Sequence, residues 1–262
     1  MSTYTSLPSR TGNPRSRMGK SRLGGVPTVL DGADPAGQLS LALADEGPVS
    51  LTRDEPRPGV VHIRGWLGSA AQRRLVEDFR SWARPPAGLR RPRVPSGHLM
   101  SVQSVCLGWH WQPYAYSRTA DDTDAAPVKP LPVDLADLAK AAVLDAYGYD
   151  EAVIYEPDAA IVNLYEPAAR LGLHTDGEEP SPAPVVTISL GDECVFRLAG
   201  VGQRTAPFTD LTLASGDLLV FGRDQRRVYH GVPKVLAGTA PPGLGLPPGR
   251  LSITVRQTGL EG

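Results

Sequence analysis

Three residues carry the strongest chemical signal in this chain: His174, Asp176 and His230. Two histidines and one carboxylate, with coordination positions left open, are the ligand set of a non-haem Fe(II) oxygenase. The spacing suits that purpose. On an extended segment, side chains two residues apart point to the same side, so His174 and Asp176 can share a metal. His230 then closes the third position from another strand. His-x-Asp alone is common on surface loops, so the reading depends on the later histidine and on what surrounds it.

A second group of residues fits a cosubstrate. An Fe(II) centre of this kind leaves room for O2 and a chelating 2-oxo acid, whose far carboxylate needs a buried cation. Arginine suits that role, because its planar fork binds a carboxylate through two parallel hydrogen bonds. Arg250 and Arg256 lie six apart on a predicted strand and can face one side. Asn163 and Tyr165, two apart, offer an amide and a phenol to the same space. His62, His98 and His110 have no ligand-like spacing and are expected to be structural or surface residues.

The elements that must position these residues follow from periodicity. Val60–Leu67 reads as a strand. Ser69 and Gln72 have the spacing of a capping box ahead of an amphipathic helix over 70–83, with Leu75, Phe79 and Trp82 on one face. Pro85 and Pro86 end it. Arg90, Arg91 and Arg93 follow in a loop, as a solvated face or a set of phosphate contacts, before a strand-like segment, 99–107. Residues 108–116 hold an aromatic cluster in a turn-rich context, suited to a core or to stacking on a planar ligand. Asp134 is expected to cap a second helix that carries Leu135, Leu138, Ala142 and Ala146 and stops at Gly148. From 159 onward short strands take over, at 159–165, 170–174, 184–190, 193–198, 210–213, 217–221, 227–230 and 250–256. Helices followed by many short strands predict an α+β fold, a double-sheet jelly roll supported by N-terminal helices. A Gly/Pro-rich loop spans 236–249.

Composition sets the outer bounds. The 262 residues are 41% hydrophobic with a formal net charge of -1, enough apolar content for a sizeable core. No apolar run is long enough to span a membrane. The N-terminus lacks an apolar signal core, so a cytoplasmic protein is expected; separately, a monomer is expected. Two cysteines, Cys106 and Cys194, are too few for a disulfide framework and read as buried thiols. Residues 1–57 read as a flexible basic tail and linker, with Arg10, Arg15, Arg17, Lys20 and Arg22 and no acid before residue 26. A local basic patch suffices for a nucleic-acid partner even at this net charge.

The motifs together resemble the AlkB family, its bacterial DNA-repair branch in particular. The resemblance is carried by Asn163-x-Tyr165, His174-x-Asp176-x-Glu178-Glu179-Pro180, Val186-Thr-Ile-Ser-Leu-Gly191, Ser215-Gly-Asp217, Tyr229-His230-Gly231 and Arg250-Leu-Ser-Ile-Thr-Val-Arg256. It is dense over 159–259 and weaker back to about residue 58. It implies a dioxygenase domain over 58–262, with helices and a nucleotide-recognition lid in 58–158 and a jelly-roll (double-stranded β-helix) core in 159–262. His174, Asp176 and His230 would bind Fe(II). Asn163, Tyr165, Arg250 and Arg256 would bind 2-oxoglutarate. Trp109 would stack on a flipped base opposite the His174 imidazole, with Tyr114 and Tyr116 holding the nucleotide. Glu178 stands where the family has an acidic base reader, typically an Asp one methylene shorter, and Arg204 where it has a substrate-contacting cation. The implied reaction is oxidative dealkylation of N-alkylated bases such as N1-methyladenine and N3-methylcytosine. The substrate would be DNA, single-stranded or with its base extruded, and O2 and 2-oxoglutarate would be consumed. An RNA or tRNA dealkylase and a small-molecule 2-oxoglutarate oxygenase are the alternatives.

Overall fold

The computed structural model describes residues 51–261. The basic residues of the N-terminal tail lie outside the described residues. Among the described residues no helix is long and apolar enough to cross a membrane.

Strand β1 (Thr52–Arg57) pairs antiparallel with β2 (Val60–Arg64). Residues 52–57 are therefore sheet rather than linker. Helix α1 (Ser69–Trp82) follows, burying Ala71, Leu75, Val76 and Phe79. Its N-cap residue is Gly68 rather than Ser69. Ser69 is already helical, and Gln72 turns inward, donating to the Leu67 carbonyl at 2.8 Å and accepting from Ser215 Oγ at 2.7 Å. Strand β3 (Gln103–Leu107) is shorter than expected, because residues 90–101 form a loop closed by the Arg90–Ser104 and Arg93–Leu99 bridges. The aromatic cluster is a small hairpin, β4 (His110–Gln112) with β5 (Ala115–Ser117). Helix α2 (Val133–Tyr147) ends at Gly148, whose φ of 95° favours glycine. Asp134 sits in its first turn, where its charge suits the helix N-terminus, but it makes no capping hydrogen bond. A short helix α3 (Tyr149–Val153) follows.

The strands that remain are β6 (Ala159–Tyr165), β7 (Leu171–His174), β8 (Val185–Gly191), β9 (Glu193–Val201), β10 (Thr209–Leu213), β11 (Leu218–Phe221), β12 (Val228–Leu236) and β13 (Arg250–Arg256). They form a large sheet in the order β1-β2-β11-β8-β13-β6-β3 and a small sheet in the order β10-β9-β12-β7. Pairing is antiparallel throughout both. This is the double-stranded β-helix expected from the sequence.

Alternation along the large sheet explains both its stability and its chemistry. Val186, Ile188 and Leu190 of β8, and Leu251, Ile253 and Val255 of β13, face outward and join the core under α1 and α2. The residues between them face the small sheet. Toward the β2 and β11 side of that interior the residues are apolar: Val60, Leu219 and Phe221 pack against Phe196, Leu198 and Val232. Along β13 the inward positions are Arg250, Ser252, Thr254 and Arg256, all buried. A sheet that spends four inward positions on polar groups is lining a site. The 236–249 loop is tied down by Asp192, which accepts backbone N–H groups of Gly238, Thr239, Ala240 and Gly249 at 2.9–3.0 Å.

Candidate active site

The small sheet brings the two histidines together. In the β12–β7 ladder His230 stands directly opposite His174, with ring centroids 4.4 Å apart. Asp176 follows two residues beyond His174. One ligand atom from each of the three lies within 4.8 Å of the others. His174 Nδ1 lies 3.0 Å from the Gly172 carbonyl, and His230 Nδ1 lies 3.1 Å from the Val228 carbonyl. A carbonyl can only accept, so each Nδ1 carries the proton and each Nε2 presents its lone pair. Burial, reinforced by the neighbouring His174, pushes His230 down to about 4, so it is neutral near pH 7. Burial opposes ionisation of Asp176, but Arg256, His230 and His174 hold its carboxyl well below the usual range. Two imidazoles presenting Nε2 and a carboxylate, with one open side, match the donor set of an Fe(II) site.

Behind the cluster lies the polar strip of β13. In the registers, Arg250 is opposite Tyr165 and Gly191, and Ser252 is opposite Asn163 and Ser189. Arg250 is fully buried. Its Nε donates to Ser189 Oγ at 3.2 Å and its Nη2 to Ser252 Oγ at 3.4 Å, while Nη1 has no partner. Its guanidinium lies 5.1 Å from the Tyr165 ring. Among the described residues no carboxylate pairs with it. A buried, unpaired cation with an orphaned donor is costly unless an anion joins it, which fits the distal carboxylate of 2-oxoglutarate. Burial raises the Tyr165 hydroxyl to about 12, so it stays protonated and able to donate. Asn163, Tyr165, Ser252 and Thr254 line the cleft between this strip and His230.

Arg256 is positioned differently. Its Nη2 and Nε reach Asp176 Oδ2 at 3.0 and 3.2 Å, and its Nε is 3.3 Å from Glu179 Oε1. Unlike Arg250, it is already paired with two protein acids. Glu179, not singled out from sequence, is buried under Arg256, Arg226 and the Tyr116 hydroxyl. Arg226 and Arg227 both donate to the Asp176 carbonyl, and Arg227 also to that of Glu179. These two arginines clamp the loop that carries the carboxylate ligand. Their position directly before Val228-Tyr229-His230 was the available sequence signal.

A pocket of about 180 Å³ opens outward from the cluster. Trp111, Tyr114, Met100, Asn163, His174 and Glu178 are on its walls. Tyr114 is 75% exposed and has a φ of 72°, an uncommon backbone state for a bulky residue. Trp109 is not on these walls. It is buried, its Nε1 donates to Asp158 Oδ2 at 3.3 Å, and the Arg118 guanidinium covers its ring at 3.4 Å. In this structure its ring is therefore engaged by Asp158 and Arg118. Tyr116 is also off the wall, bonded to Glu179. Arg204 is exposed, donates to the Leu173 carbonyl and lies 5.4 Å from the Tyr229 ring, beside the site but not in it.

Arg90 departs from the expected surface patch. It is buried, and it holds Asp122 at 3.0 Å, the Ser104 carbonyl at 3.0 Å and the Trp111 carbonyl. His110 joins the same Asp122 at 2.7 Å, and His62 is buried against Asp217 at 2.8 Å, so both are structural, while His98 is exposed. Cys106 and Cys194 are free and buried.

Comparison with known proteins agrees with this geometry. Residues 59–256 match the 2OG-Fe(II) oxygenase superfamily. The chain is 34% identical over 204 residues to the alpha-ketoglutarate-dependent dioxygenase AlkB of Salmonella typhimurium, covering 76% of this chain and 89% of that protein. It is 31% identical over 220 residues to the DNA N(6)-methyladenine demethylase ALKBH1D of Arabidopsis thaliana, covering 76% of this chain. It spans about half the length of that plant relative, 49%. The solved structure of OsALKBH1 superposes with a TM-score of 0.70 at 29% identity, over 79% of this chain and 100% of that one. The chain belongs to the AlkB family of 2OG-Fe(II) oxygenases, dioxygenases that work with Fe(II), 2-oxoglutarate and O2.

Proposed function

We propose that the protein removes alkyl groups oxidatively from nucleic-acid bases, with N1-methyladenine and N3-methylcytosine in DNA as the first candidates. The observation that carries this reading is the pocket between Trp111, Tyr114 and Glu178, which ends at His174 and Asp176. Its walls suit a flat group carrying hydrogen-bond donors, which describes a nucleobase. The Arabidopsis relative bears the name of a DNA N(6)-methyladenine demethylase, which supports a DNA base as substrate.

Each residue then has a stated task. Nε2 of His174, Nε2 of His230 and Oδ1 of Asp176 would hold Fe(II). When bound, Fe(II) with O2 and 2-oxoglutarate supplies the oxidation that hydroxylates an N-alkyl carbon, leaving succinate and CO2. Arg250 would take the distal carboxylate of 2-oxoglutarate through its free Nη1, with the Tyr165 hydroxyl beside it. Asn163, whose Oδ1 already accepts from Ser104 Oγ at 2.6 Å, has its amide N–H groups left for the cosubstrate. Arg256 keeps Asp176 ionised and oriented. Glu178, half-buried on the pocket wall, would accept from an exocyclic amino or imino group and favour cationic lesions. Tyr114, exposed at the rim, would meet the nucleotide as it enters. A base in a duplex cannot reach the cluster, so it must be extruded or single-stranded. A methylated pairing edge lowers that cost.

The test is mass spectrometry of methylated single-stranded DNA and RNA oligonucleotides incubated with Fe(II), 2-oxoglutarate and ascorbate. N1-methyladenine, N3-methylcytosine and N6-methyladenine each form one arm. Loss of the methyl group from a DNA arm supports the reading. Faster loss from RNA moves the substrate to the RNA alternative, and succinate release with no oligonucleotide altered points to a small-molecule substrate.

A further inference from the structure

A row of polar side chains crosses the large sheet at one level. Ser104 of β3 stands opposite Asn163 of β6, Asn163 opposite Ser252 of β13, and Ser252 opposite Ser189 of β8. Directly opposed residues of antiparallel strands share a face, and this face is turned toward the small sheet. The β3 pattern agrees, since its alternate residues Val105 and Leu107 join the outer core. Arg250 engages one end of the row, donating to Ser189 and Ser252. Ser104 is the other end. It belongs to the segment before the jelly roll, it is 1% exposed, and its Oγ donates to Asn163 Oδ1 at 2.6 Å.

That bond decides which end of the Asn163 amide faces the cleft. An amide can turn to present either its oxygen or its two N–H donors. 2-Oxoglutarate brings only acceptor oxygens, so it needs the donors. With Oδ1 held by the Ser104 hydroxyl, Nδ2 is the end left for the cleft that Asn163 lines. Ser104 is itself fixed. Its N–H donates to the Arg90 carbonyl at 2.7 Å, and its carbonyl accepts from the Arg90 N–H and from Nη1, each at 3.0 Å. Arg90 is anchored in turn by Asp122 at 3.0 Å. A binding group whose rotamer is locked by such neighbours is held in its productive geometry. We propose that Ser104 is a positioning residue for the cosubstrate, holding the Asn163 amide with its N–H donors toward 2-oxoglutarate. The assignment rests on the role given above to Asn163 in binding 2-oxoglutarate.

The test is a double-mutant cycle of Ser104→Ala, Asn163→Ala and the pair, on the full chain. The first readout needs no turnover. It is the rise in melting temperature as 2-oxoglutarate is titrated into Fe(II)-loaded protein under anoxic conditions, which gives the affinity. Ser104→Ala should weaken 2-oxoglutarate binding roughly 2- to 12-fold, the range expected for loss of one hydrogen bond. In the Asn163→Ala background the same change should have no effect, because the group it positions is gone. The second readout is succinate release. There Ser104→Ala should raise the half-saturating 2-oxoglutarate concentration and leave the maximal rate near that of wild type. Ser104→Cys has a similar shape but is a weak donor, so it carries the cycle if the alanine variant fails to fold. Wild-type affinity in Ser104→Ala, or an equal loss in both backgrounds, overturns the positioning role alone. Unchanged affinity in Asn163→Ala overturns the placement of Asn163 in the cosubstrate site, and the positioning role with it.

Discussion

Arg256 donates to a single oxygen of Asp176, Oδ2, at 3.0 and 3.2 Å, and the other oxygen, Oδ1, is left 3.9 Å from His174 Nε2. One carboxylate is thus divided between a structural half and a half facing the two imidazoles. Both partners are buried, so their charges depend on each other. Removing one partner of such a pair costs about 3–5 kcal/mol. Arg256→Ala should therefore lower the melting temperature of the metal-free protein sharply and weaken Fe(II) binding. Arg256→Lys should restore part of both. Thermal melts and anoxic metal titration check this, and an unchanged melt in Arg256→Ala would remove Arg256 from its supporting role.

Arg250 should behave in the opposite way. It is buried without an acid, and Nη1 has no partner. Arg250→Met keeps the stem and removes an uncompensated cation, so the cosubstrate-free protein should melt no lower than wild type. Charge-assisted hydrogen bonds are worth ~1.5–3 kcal/mol each. The 2-oxoglutarate concentration needed for half-maximal succinate release should therefore rise about tenfold or more. Wild type should also gain thermal stability from 2-oxoglutarate, and the variant should not. Equal stabilisation of both by 2-oxoglutarate would place its carboxylate elsewhere.

The legible parts of this molecule were those where periodicity and chemistry coincide. Strands β6 and β13 agree with expectation to the residue, because apolar positions facing α1 and α2 alternate with polar positions facing the site. The same alternation identified Asn163, Tyr165, Arg250 and Arg256. Adjacent residues of like type were not separable. Glu178 and Glu179, or Trp109 and Trp111, differ only in which way a loop or hairpin turns them, and tertiary contacts decide that. Arg90 looked like surface charge because nothing local reveals that Asp122, thirty-two residues on, would meet it inside. The first helix likewise starts one residue earlier than expected, with Gly68 as its N-cap, and the Gln72 side chain meets Ser215 and Leu67, which lie outside the helix.

The two glutamates should separate cleanly. Glu178→Gln should reduce turnover of N1-methyladenine and N3-methylcytosine more than turnover of uncharged adducts, with little change in melting temperature. Glu179 is buried between Arg256, Arg226 and Tyr116. Glu179→Gln should destabilise the fold by about 3–5 kcal/mol, because two buried guanidinium groups lose their shared carboxylate. Denaturant melts and side-by-side lesion kinetics check the pair. Equal effects of Glu178→Gln on charged and uncharged lesions would make Glu178 a solvated acid.

The basic run should split as well. Arg91 reaches Glu166 at 3.0 Å, and Arg93, exposed, bonds only its own loop at Gly97, so both guanidinium groups have donors left for phosphate. Neutralising both should flatten the log–log salt dependence of DNA binding by roughly 0.7–0.9 per lost phosphate contact. Arg90→Ala should instead destabilise the protein, since Arg90 ties β3 to the hairpin. A salt slope unchanged in the Arg91 and Arg93 variant would return those two residues to simple solvation.

The central claim is that His174, Asp176 and His230 hold the iron that couples 2-oxoglutarate turnover to repair of a base. Its most direct test counts succinate and demethylated base in one reaction, on single-stranded DNA carrying N1-methyladenine. Wild type should release one succinate for each base repaired. Asp176→Ala and His230→Ala, checked for fold by circular dichroism, should release neither. Full succinate release by either folded variant, or wild-type release of succinate with the methylated base left intact, would contradict the account.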